Sequence, residues 1–561
     1  MQIRLKNIIP YMYSILLAAA AGLWYVAGKK YTAAGILFWG ALIALVWILR
    51  PFAFLQNKAM AEIREADRLS TLKNLLPIAA TFVCVVLMAV LPMKMSPYWN
   101  GEYPAHRSQY EQITEAFLKG QLYFEYQPDD ILKSLENPYD PNERAIAGAN
   151  EYSDSSFYNG HYYMYFGVVP VFLVFMPFRF ILGHPLAAYH ATQLFATGFI
   201  LGIFALFALL SKRFFSQLSL ATYLVMSSAV SFLSIWTAID TPAMYCTAQV
   251  SALMFMVWWL YFFVRAVFDE NSNLPKQVGL TDIGQLPLNG EDSKVETVFT
   301  NRELGFAFLG SLCGALAIGC RPPVALAGVL LLPLLIVFLR KKKITLPLIL
   351  KLFVAALPYI LVAAGLMWYN YARFDNPFEF GKSYQITVID ASKPPVFDWK
   401  KIWDGIEMYL FKKEEMTDVF PFQGYGGTFV TFPILYAFLL GLIPPVYRVL
   451  REKRLRFFSV SLLVTAVFVC AQDVFWSPTF YQRYRLDYQY LLGILAFLMI
   501  GIFIQILNGK TKTVVSFIFC LIGLITIFEC FVLWMIPGDA NFSYAYPEIL
   551  EKIQKILMMQ G

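Results

Sequence analysis

Long apolar runs separated by short polar or basic segments dominate the pattern along the chain. Thirteen runs are each close to the ~20 residues that an α-helix needs to cross the hydrocarbon core of a bilayer. They cover residues 9–28, 31–49, 75–93, 188–210, 216–237, 243–265, 304–320, 324–339, 346–369, 427–447, 457–475, 486–507 and 513–536. The alternation of apolar and polar residues that marks transmembrane β-strands is absent. The pattern therefore predicts an all-α polytopic membrane protein with about 13 transmembrane helices.

The composition supports this class and excludes several others. Of the 561 residues, 58% are hydrophobic and only 15% are charged, whereas soluble domains average about 25% charged residues. The seven cysteines all lie in apolar runs and none forms a Cys-x-x-Cys pair, so we expect neither an exported disulfide framework nor a cysteine metal site. No cofactor is predicted, and a divalent metal held by other residues is left open.

Basic residues between the runs indicate how the chain is oriented. Clusters occur at 212–213, 340–343, 448–456 and 510–512, and such loops account for the net charge of +7 without any nucleic-acid partner. With a cytoplasmic N-terminus, thirteen spans place every cluster in the cytoplasm, as the positive-inside rule requires. We therefore predict a multi-pass plasma-membrane protein with an extracytoplasmic C-terminus.

The spans also divide the chain into parts. The predicted units are an N-terminal hairpin with its basic loop at 1–74, a transmembrane core at 75–536 and an outer tail at 537–561. The core contains a first outer loop at 94–187, a cytoplasmic linker at 266–303 and a second outer loop at 371–426.

A further apolar run, 164–183, does not fit the count of thirteen. If it crossed the membrane, every later loop would change sides and thirteen basic residues of the clusters would face outward. The run also contains Pro170, Pro177 and Arg179, and proline within a helix kinks or breaks it. We therefore predict one broken, non-crossing segment on the outer side, where irregular backbone needs cover from protein or a water-filled cavity.

Each outer loop contains one predicted amphipathic helix. Ser108-Gln-Tyr-Glu111 has the form of a capping box, and apolar residues recur at helical spacing over 108–119. In the second loop, the 398–413 segment places five apolar side chains on one face, namely Trp399, Ile402, Trp403, Ile406 and Tyr409. We predict that both helices lie on the membrane surface.

Ionisable residues gather at the outer ends of the spans. They include Glu102, Asp154, Asp240, Arg321, Arg373, Asp473, Arg483, Arg485 and Asp487, and all four histidines, His106 among them, lie in or beside the first outer loop. Arginine can bind phosphate through two parallel hydrogen bonds, and a carboxylate can accept the proton of an attacking hydroxyl. Such a ring suits chemistry on a lipid-borne anion, while ordinary interfacial residues are an equally open alternative.

Individual residues of this ring also have structural interpretations. Arg321 needs an anionic partner, which is either a lipid phosphate or a protein carboxylate. For Arg483 and Arg485 the expected partner is Asp487, which is close in sequence. Asp240, followed by Thr-Pro, would cap a helix start, and Arg373 would be a snorkelling anchor.

Short motifs occur at successive outer junctions. Glu102 follows the 75–93 span, and Ala116-Phe-Leu-Lys-Gly-Gln-Leu-Tyr123 follows Gln109-Tyr110. Later motifs are Tyr158-Asn-Gly-His-Tyr-Tyr163, Phe166-Gly-Val-Val-Pro170, Ile239-Asp-Thr-Pro242 and Arg483-Tyr484. In this order, over roughly residues 75–536, the chain resembles the GT-C glycosyltransferase superfamily. The branch it is most similar to is the protein-O-mannosyltransferase-like and aminoarabinose-transferase-like one, with its bacterial relatives.

The resemblance implies an inverting membrane glycosyltransferase. Such an enzyme would move a sugar from a polyprenyl-phosphate donor to an envelope glycan or lipid acceptor at the outer face of the bilayer. Glu102 would be the catalytic base, with Asp154 as its rival. The substrate-binding residues would be His106, Tyr110, Asp240, Arg321, Arg373, Arg483, Tyr484 and Arg485.

Two other functions remain open at this point. A transporter or flippase of lipid-linked glycans would carry polar residues through its spans and show two similar halves, and neither feature is evident. A catalytically inactive structural protein with the same fold would tolerate replacement of Glu102 and Asp154.

Overall fold

The computed structural model describes residues 5–63, 68–97, 109–268, 299–339, 342, 344–393, 397–476, 481–538 and 541–560. Glu102, His106 and Ser108, on which three of the predictions above rest, lie outside the described residues, as do residues 269–298 of the linker.

Twenty-three α-helices and one two-stranded hairpin form within the described residues. In the first half these are α1 Leu5–Val26, α2 Lys30–Leu49, α3 Phe54–Asn57, α4 Arg68–Val90, α5 Gln109–Leu118, α6 Asp130–Ser134, α7 Pro141–Ala147, β1 Ser155–Tyr158, β2 His161–Met164, α8 Met176–Leu182, α9 Ala188–Phe214, α10 Leu220–Asp240 and α11 Met244–Val267. In the second half they are α12 Asn301–Ile318, α13 Pro322–Ala325, α14 Leu331–Leu339, α15 Leu346–Phe374, α16 Trp399–Phe411, α17 Thr428–Thr431, α18 Pro444–Glu452, α19 Arg456–Trp476, α20 Leu486–Ile506, α21 Gly509–Met535, α22 Phe542–Ala545 and α23 Pro547–Leu557. Short 3-10 segments occur at Met60–Ile63, Pro92–Met95, Leu326–Leu330, Pro433–Leu442 and Gln482–Arg485, and a π-helical turn at Val171–Phe175.

Among the described residues, eleven helical stretches are long and apolar enough to cross a membrane. A twelfth is Pro433–Leu442 together with α18, which bend by 78° where Pro444 and Pro445 interrupt the hydrogen-bond ladder. The remaining expected span corresponds to α12, whose first turn is the polar triplet Asn301-Arg-Glu303. The protein is therefore an all-α polytopic membrane protein, and the count of thirteen is not confirmed.

The centre of the bundle is α10, in which every residue is buried. Helices α9, α11, α20 and α21 pack around it. Small residues allow the close approach: a Cβ on Gly493 would lie 2.8 Å from Val230, and one on Gly523 would lie 2.6 Å from Val225. Because α11 and α20 belong to this core, the side chains at their ends have a rigid support.

Basic residues of two clusters come together at one end of the bundle, where Lys453 and Arg213 interact electrostatically. The Gln217 backbone N–H, in the turn between α9 and α10, donates to Gln505 Oε1 at 3.4 Å near the end of α20. Lys342 forms an ion pair of 3.2 Å with Glu303 at the start of α12. At the opposite end, α23 packs against α2. This grouping agrees with basic loops on one side of the membrane, while the assignment of that side to the cytoplasm stays a prediction.

The 164–183 segment is interrupted and short. The π-helical turn and α8 run from Val171 to Leu182, twelve residues that extend about 18 Å, whereas the hydrocarbon core is about 30 Å thick. Pro170 immediately precedes the turn, and Pro177 lies in the first turn of α8. The backbone N–H of Val169 donates to Gly319 O at 3.0 Å, which holds the segment against the end of α12. The segment is thus too short to cross a bilayer as a helix.

The apolar face of α5 packs largely against protein, and the position of this helix at the membrane surface stays a prediction. Tyr110 and Ile113 are fully buried in protein. Tyr110 stacks on Phe175, with 5.0 Å between the ring centroids, and Phe117 stacks on Phe172 at 5.4 Å. The apolar face of α5 therefore covers the broken segment.

Helix α16 divides the side chains that were expected to share one face. Ile402 and Tyr409 are buried in protein, where α16 packs against α19. Trp399 and Trp403 are 75% and 69% exposed. The surface-lying interpretation of this helix now rests on the two tryptophans.

The two long loops that were predicted to be outer are joined through the β1–β2 hairpin. Asn159 and Gly160, with φ of +47° and +77°, form its turn, as Asn-Gly favours. On the free edge of β1, the Phe157 N–H donates to Tyr384 O and the Ile386 N–H donates to Ser155 O, both at 2.8 Å. The second outer loop thus extends the hairpin and fixes its position.

We expect Gly167 to be indispensable for the packing of the broken segment. A Cβ there would lie 2.2 Å from Cys320 O and 2.3 Å from Gly319 O, which are backbone atoms that cannot easily move. Gly167→Ala should therefore lower the midpoint of thermal unfolding in detergent, since overpacking costs about 1–3 kcal/mol. Gly305→Ala, on α12 with nothing within 4 Å of the added carbon, is the control and should be neutral or stabilising. Equal midpoints for the two variants would contradict the close approach.

Candidate functional site

Asp154 lies in the turn before β1 and is held by three segments. Its backbone N–H donates to Ile386 O at 2.8 Å, and its carbonyl accepts from Gln109 Nε2 at 3.0 Å. The φ angle is +59°, a left-handed conformation that Asp tolerates better than most residues. Its half-buried carboxylate accepts a hydrogen bond from the phenol of Tyr245, in the first turn of α11. The side chain is thereby directed at the first turn of α11.

The Tyr245 ring also contacts a cation. The guanidinium of Arg483 lies over this ring, with 4.3 Å from Cζ to the centroid. The same group lies 5.1 Å from the ring of Tyr481 and 5.3 Å from that of Tyr484. Among the residues the structure describes, no carboxylate forms an ion pair with Arg483. Its positive charge is therefore supported by aromatic faces and is not neutralised by a described side chain.

Arg321, three residues after the end of α12, shares this aromatic support. Its Cζ lies 5.6 Å from the ring of Tyr484. It also donates from Nη2 and Nε to Asp487 Oδ2, at 2.8 and 2.9 Å. Asp487 is fully buried and accepts a further bond of 2.7 Å from Gln249 Nε2. The anionic partner of Arg321 is thus a protein carboxylate.

The expectation that Asp487 would pair with its sequence neighbours Arg483 and Arg485 is wrong. In the first turn of α20 its side chain points toward α11 and the end of α12, where Arg321 meets it. Asp473, buried at the outer end of α19, interacts electrostatically with both members of this pair. Two buried carboxylates therefore interact with Arg321, Asp487 through hydrogen bonds and Asp473 electrostatically.

Two further tyrosines belong to this region at different depths. Tyr165 is half-buried, interacts electrostatically with Arg321 and Asp154, and has its pKa raised by burial. Tyr110 is fully buried, donates from its phenol to Gly167 O at 3.3 Å, and its pKa is likewise raised by burial. Tyr165 therefore lines the site, whereas Tyr110 supports the broken segment from behind.

Three of the predicted substrate-binding residues belong to the scaffold, namely Asp240, Arg373 and Arg485. All three are buried. Arg373 donates to Met164 O at 2.8 Å, at the end of β2, and Arg485 donates to Gly426 O at 2.9 Å, before α17. The Asp240 carboxylate accepts from the Phe542 N–H at 3.4 Å, so it caps α22 and not the helix start that follows it in sequence. Their charges are used to hold backbone in place.

The residues that do come together form what we call the outer polar cluster, defined as Asp154, Tyr165, Tyr245, Arg321, Arg483 and Tyr484. All six are half-buried. Four of them were predicted from the sequence, and Tyr165 and Tyr245 were not. A signal for Tyr245 was available, because Gln249 lies one helical turn later on the same face of α11 and binds Asp487.

The cluster combines a proton acceptor with anion-binding groups. Tyr245 contacts both the carboxylate of Asp154 and the guanidinium of Arg483. The guanidinium groups of Arg321 and Arg483 both lie near the ring of Tyr484. Such an arrangement can bind a phosphate and remove a proton from a neighbouring hydroxyl. Within the described parts of the chain, no three His, Cys, Asp or Glu side chains are grouped so as to hold a metal ion.

Comparison with known proteins finds only distant likenesses. No protein-family model and no curated protein matches the chain. The oligosaccharyltransferase of Archaeoglobus fulgidus in its apo form is 10% identical, with a TM-score of 0.37 over 80% of this chain and 56% of that one. The form tethered to an acceptor peptide with the NVT sequon is 9% identical, with a TM-score of 0.37 over 81% and 56%. The complex with an inhibitory peptide and a dolichol-phosphate is 11% identical, with a TM-score of 0.34 over 85% and 56%.

The chain thus spans little more than half the length of these oligosaccharyltransferase structures. TM-scores below 0.5 carry no argument about activity. Any functional assignment rests on the residues of the outer polar cluster.

Removing the Asp487 carboxylate should destabilise the protein, because Arg321, only 16% exposed, would lose its counter-charge. Breaking a buried pair costs about 3–5 kcal/mol. Asp487→Asn should therefore lower the thermal midpoint strongly, and adding Arg321→Gln should restore part of the loss.

The matched control is the pair of Arg179 and Glu115, which is 29% and 32% exposed. Glu115→Gln should have a small effect, since exposed pairs contribute about 0–1 kcal/mol. If Asp487→Asn were as stable as Glu115→Gln, the buried pair would not support the outer end of the bundle.

Proposed function

We propose that this chain is a GT-C-type membrane glycosyltransferase. It moves a sugar from a polyprenyl-phosphate-linked donor to a cell-envelope acceptor at the outer face of the membrane. The observation that carries the proposal is the pairing of Asp154 with Arg483 across Tyr245, with Arg321 on the adjacent ring of Tyr484. A proton acceptor and two cations from distant segments meet at the end of the bundle opposite the basic loops, as transfer to an outer acceptor requires.

In the proposed transfer step, Asp154 accepts a proton, and Arg483 and Arg321 bind the phosphate. The acceptor hydroxyl oxygen forms a bond to the anomeric carbon of the donor sugar, and its proton passes to the carboxylate of Asp154. The bond between the anomeric carbon and the phosphate oxygen breaks, and its electron pair leaves with the polyprenyl phosphate. Arg483 and Arg321 stabilise the charge that grows on that phosphate. Attack from the face opposite the leaving group inverts the anomeric configuration.

A lipid-linked donor suits the surroundings of the cluster. Beside it, the broken segment presents apolar side chains away from the protein: Phe172 is 52%, Phe180 71% and Ile181 76% exposed. An isoprenoid chain in the bilayer can pack on such a surface while its phosphate reaches the arginines. The position of the cluster at the end of apolar helices supports the same choice, because a lipid-linked headgroup lies at that depth.

Two carboxylates compete for the role of base. Glu102 has the position expected from the resemblance and lies outside the described residues. Asp154 has the hydrogen bond to Tyr245 and the proximity to Arg483 described above. We assign the proton transfer to Asp154, and the experiment below separates the two.

Asp154→Asn should reduce transfer at least about a hundredfold, because the amide keeps the size of the side chain but cannot accept the proton. The assay follows radiolabelled sugar-lipids in membranes by thin-layer analysis, with and without the chain. Glu102→Gln is measured alongside, and Asp130→Asn, a carboxylate that is 96% exposed, is the control with unchanged transfer.

The outcomes distinguish the functions considered. A dead Glu102→Gln with an active Asp154→Asn would move the base to Glu102. Normal transfer in both variants would remove the support for an enzyme with an acidic base. If the sugar-lipid pool is the same with and without the chain, the glycosyltransferase proposal fails in favour of a structural or transport role.

The neighbouring arginines should differ in what their loss affects. Arg483→Gln should raise the donor KM about ten- to a hundredfold, as expected for one charge-assisted bond to phosphate, without loss of folded protein. Arg485→Gln should instead lower the yield of folded protein, because Arg485 is fully buried and binds Gly426 O. Donor titrations and size-exclusion profiles of the two variants check this, and identical behaviour would contradict their separate roles.

A further inference from the structure

We infer that Tyr245 is a positioning residue with two separable tasks: its hydroxyl orients the Asp154 carboxylate, and its ring orients the Arg483 guanidinium. The inference rests on the proposed function and adds to it a residue that couples the proton acceptor to the donor phosphate site. It stands on two direct contacts, the hydrogen bond from the phenol to Asp154 Oδ2 and the placement of Arg483 over the ring.

The chemistry of the phenol makes these two tasks independent. A hydrogen bond from the hydroxyl lies close to the plane of the ring, whereas a cation binds above the face of the ring, where the π-electron density is. Removing the oxygen therefore leaves the cation site intact, and removing the ring eliminates both contacts. A substitution series at this one position can thus separate effects on the base from effects on donor binding.

The ring is fixed from the remaining directions. Tyr245 lies in the first turn of α11, between the buried residues Met244 and Cys246. The ring of Phe166, from the start of the broken segment, meets it edge-on, with 5.3 Å between centroids and an interplanar angle of 87°. A tyrosine packed in this way can hold the side chains of Asp154 and Arg483 in one geometry, which is the requirement for a preorganised site.

The contact with Asp154 leaves the chemistry of that residue available. The phenol occupies Oδ2, while Oδ1 accepts no hydrogen bond from the described residues. Because Tyr245 occupies only Oδ2, Oδ1 is available to the acceptor hydroxyl. The fold of the turn itself does not depend on this contact, because the backbone of Asp154 is held by Ile386 and Gln109.

The test compares the kinetics of two substitutions in the full-length protein, in membranes, with a radiolabelled polyprenyl-phosphate sugar as donor. Tyr245→Phe should lower kcat about tenfold and leave the donor KM within twofold of wild type, because the hydrogen bond to Asp154 is lost while the ring that faces Arg483 stays. Tyr245→Leu should lower kcat similarly and also raise the donor KM about fivefold or more, because Arg483 loses its support. In an Asp154→Asn background, Tyr245→Phe should have no additional effect.

Tyr158→Phe is the matched control. Its phenol also donates to a carboxylate, that of Asp375, at 3.2 Å, but at the surface and away from the outer polar cluster. Its kcat and donor KM should equal those of wild type. Thermal midpoints of all variants show whether a loss of activity reflects unfolding. If Tyr245→Leu does not fold, the kcat of Tyr245→Phe in the wild-type and Asp154→Asn backgrounds still tests the positioning role.

The outcomes separate this inference from the proposed function. If wild-type membranes transfer sugar and Tyr245→Phe has unchanged kcat, or changes the donor KM instead, the positioning role is overturned while the enzyme assignment stands. An additive loss in the Asp154→Asn background would also overturn it, since the hydroxyl would then act elsewhere. If wild-type membranes transfer no sugar, the proposed function fails and the inference fails with it.

Discussion

The ion pair between Arg321 and Asp487 is the interaction on which the outer end of the bundle depends. A guanidinium at the end of a membrane-spanning helix is energetically costly unless it has an anionic partner. Arg321 finds this partner in Asp487, and their ion pair links the segment after α12 to the first turn of α20. Gln249 adds α11 to the same junction. Two residues before Arg321, Gly319 O accepts a hydrogen bond from Val169 of the broken segment. Four separate parts of the chain are thus aligned by one charged contact, and the outer polar cluster lies where they meet.

Much of the architecture could be predicted because it follows from local physics. Apolar runs of bilayer length identify most of the spans, and the three residues Pro170, Pro177 and Arg179 identify the broken segment. The limits of local reasoning are visible in α12 and at Pro444. In both places a few polar or proline residues shorten a run that composition alone would count as a span.

The site was harder to predict, for two physical reasons. A carboxylate and a guanidinium that are close in sequence need not face each other. Asp487, in the first turn of α20, binds Arg321 from a distant part of the chain, while Arg483 packs against aromatic rings. The apolar face of α5 could also meet lipid or protein, and both environments favour the same side chains. Tyrosines at span ends are ordinary interface residues, and the one local signal that distinguished Tyr245 was Gln249, a polar residue one helical turn further along a mostly apolar helix.

The attachment of the first outer loop to the second has a consequence for biosynthesis. The chain is made from its N-terminus, and the turn that holds Asp154 is synthesised well before Ile386, whose carbonyl accepts its N–H. Its phenol partner comes 91 residues later, and the pair of Arg321 and Asp487 closes over a separation of 166 residues. The outer polar cluster therefore assembles only after α20 has been made. A nascent chain that ends before α20 contains Asp154 and Tyr245 but lacks the complete site, because Asp487, the partner of Arg321, has not yet been made.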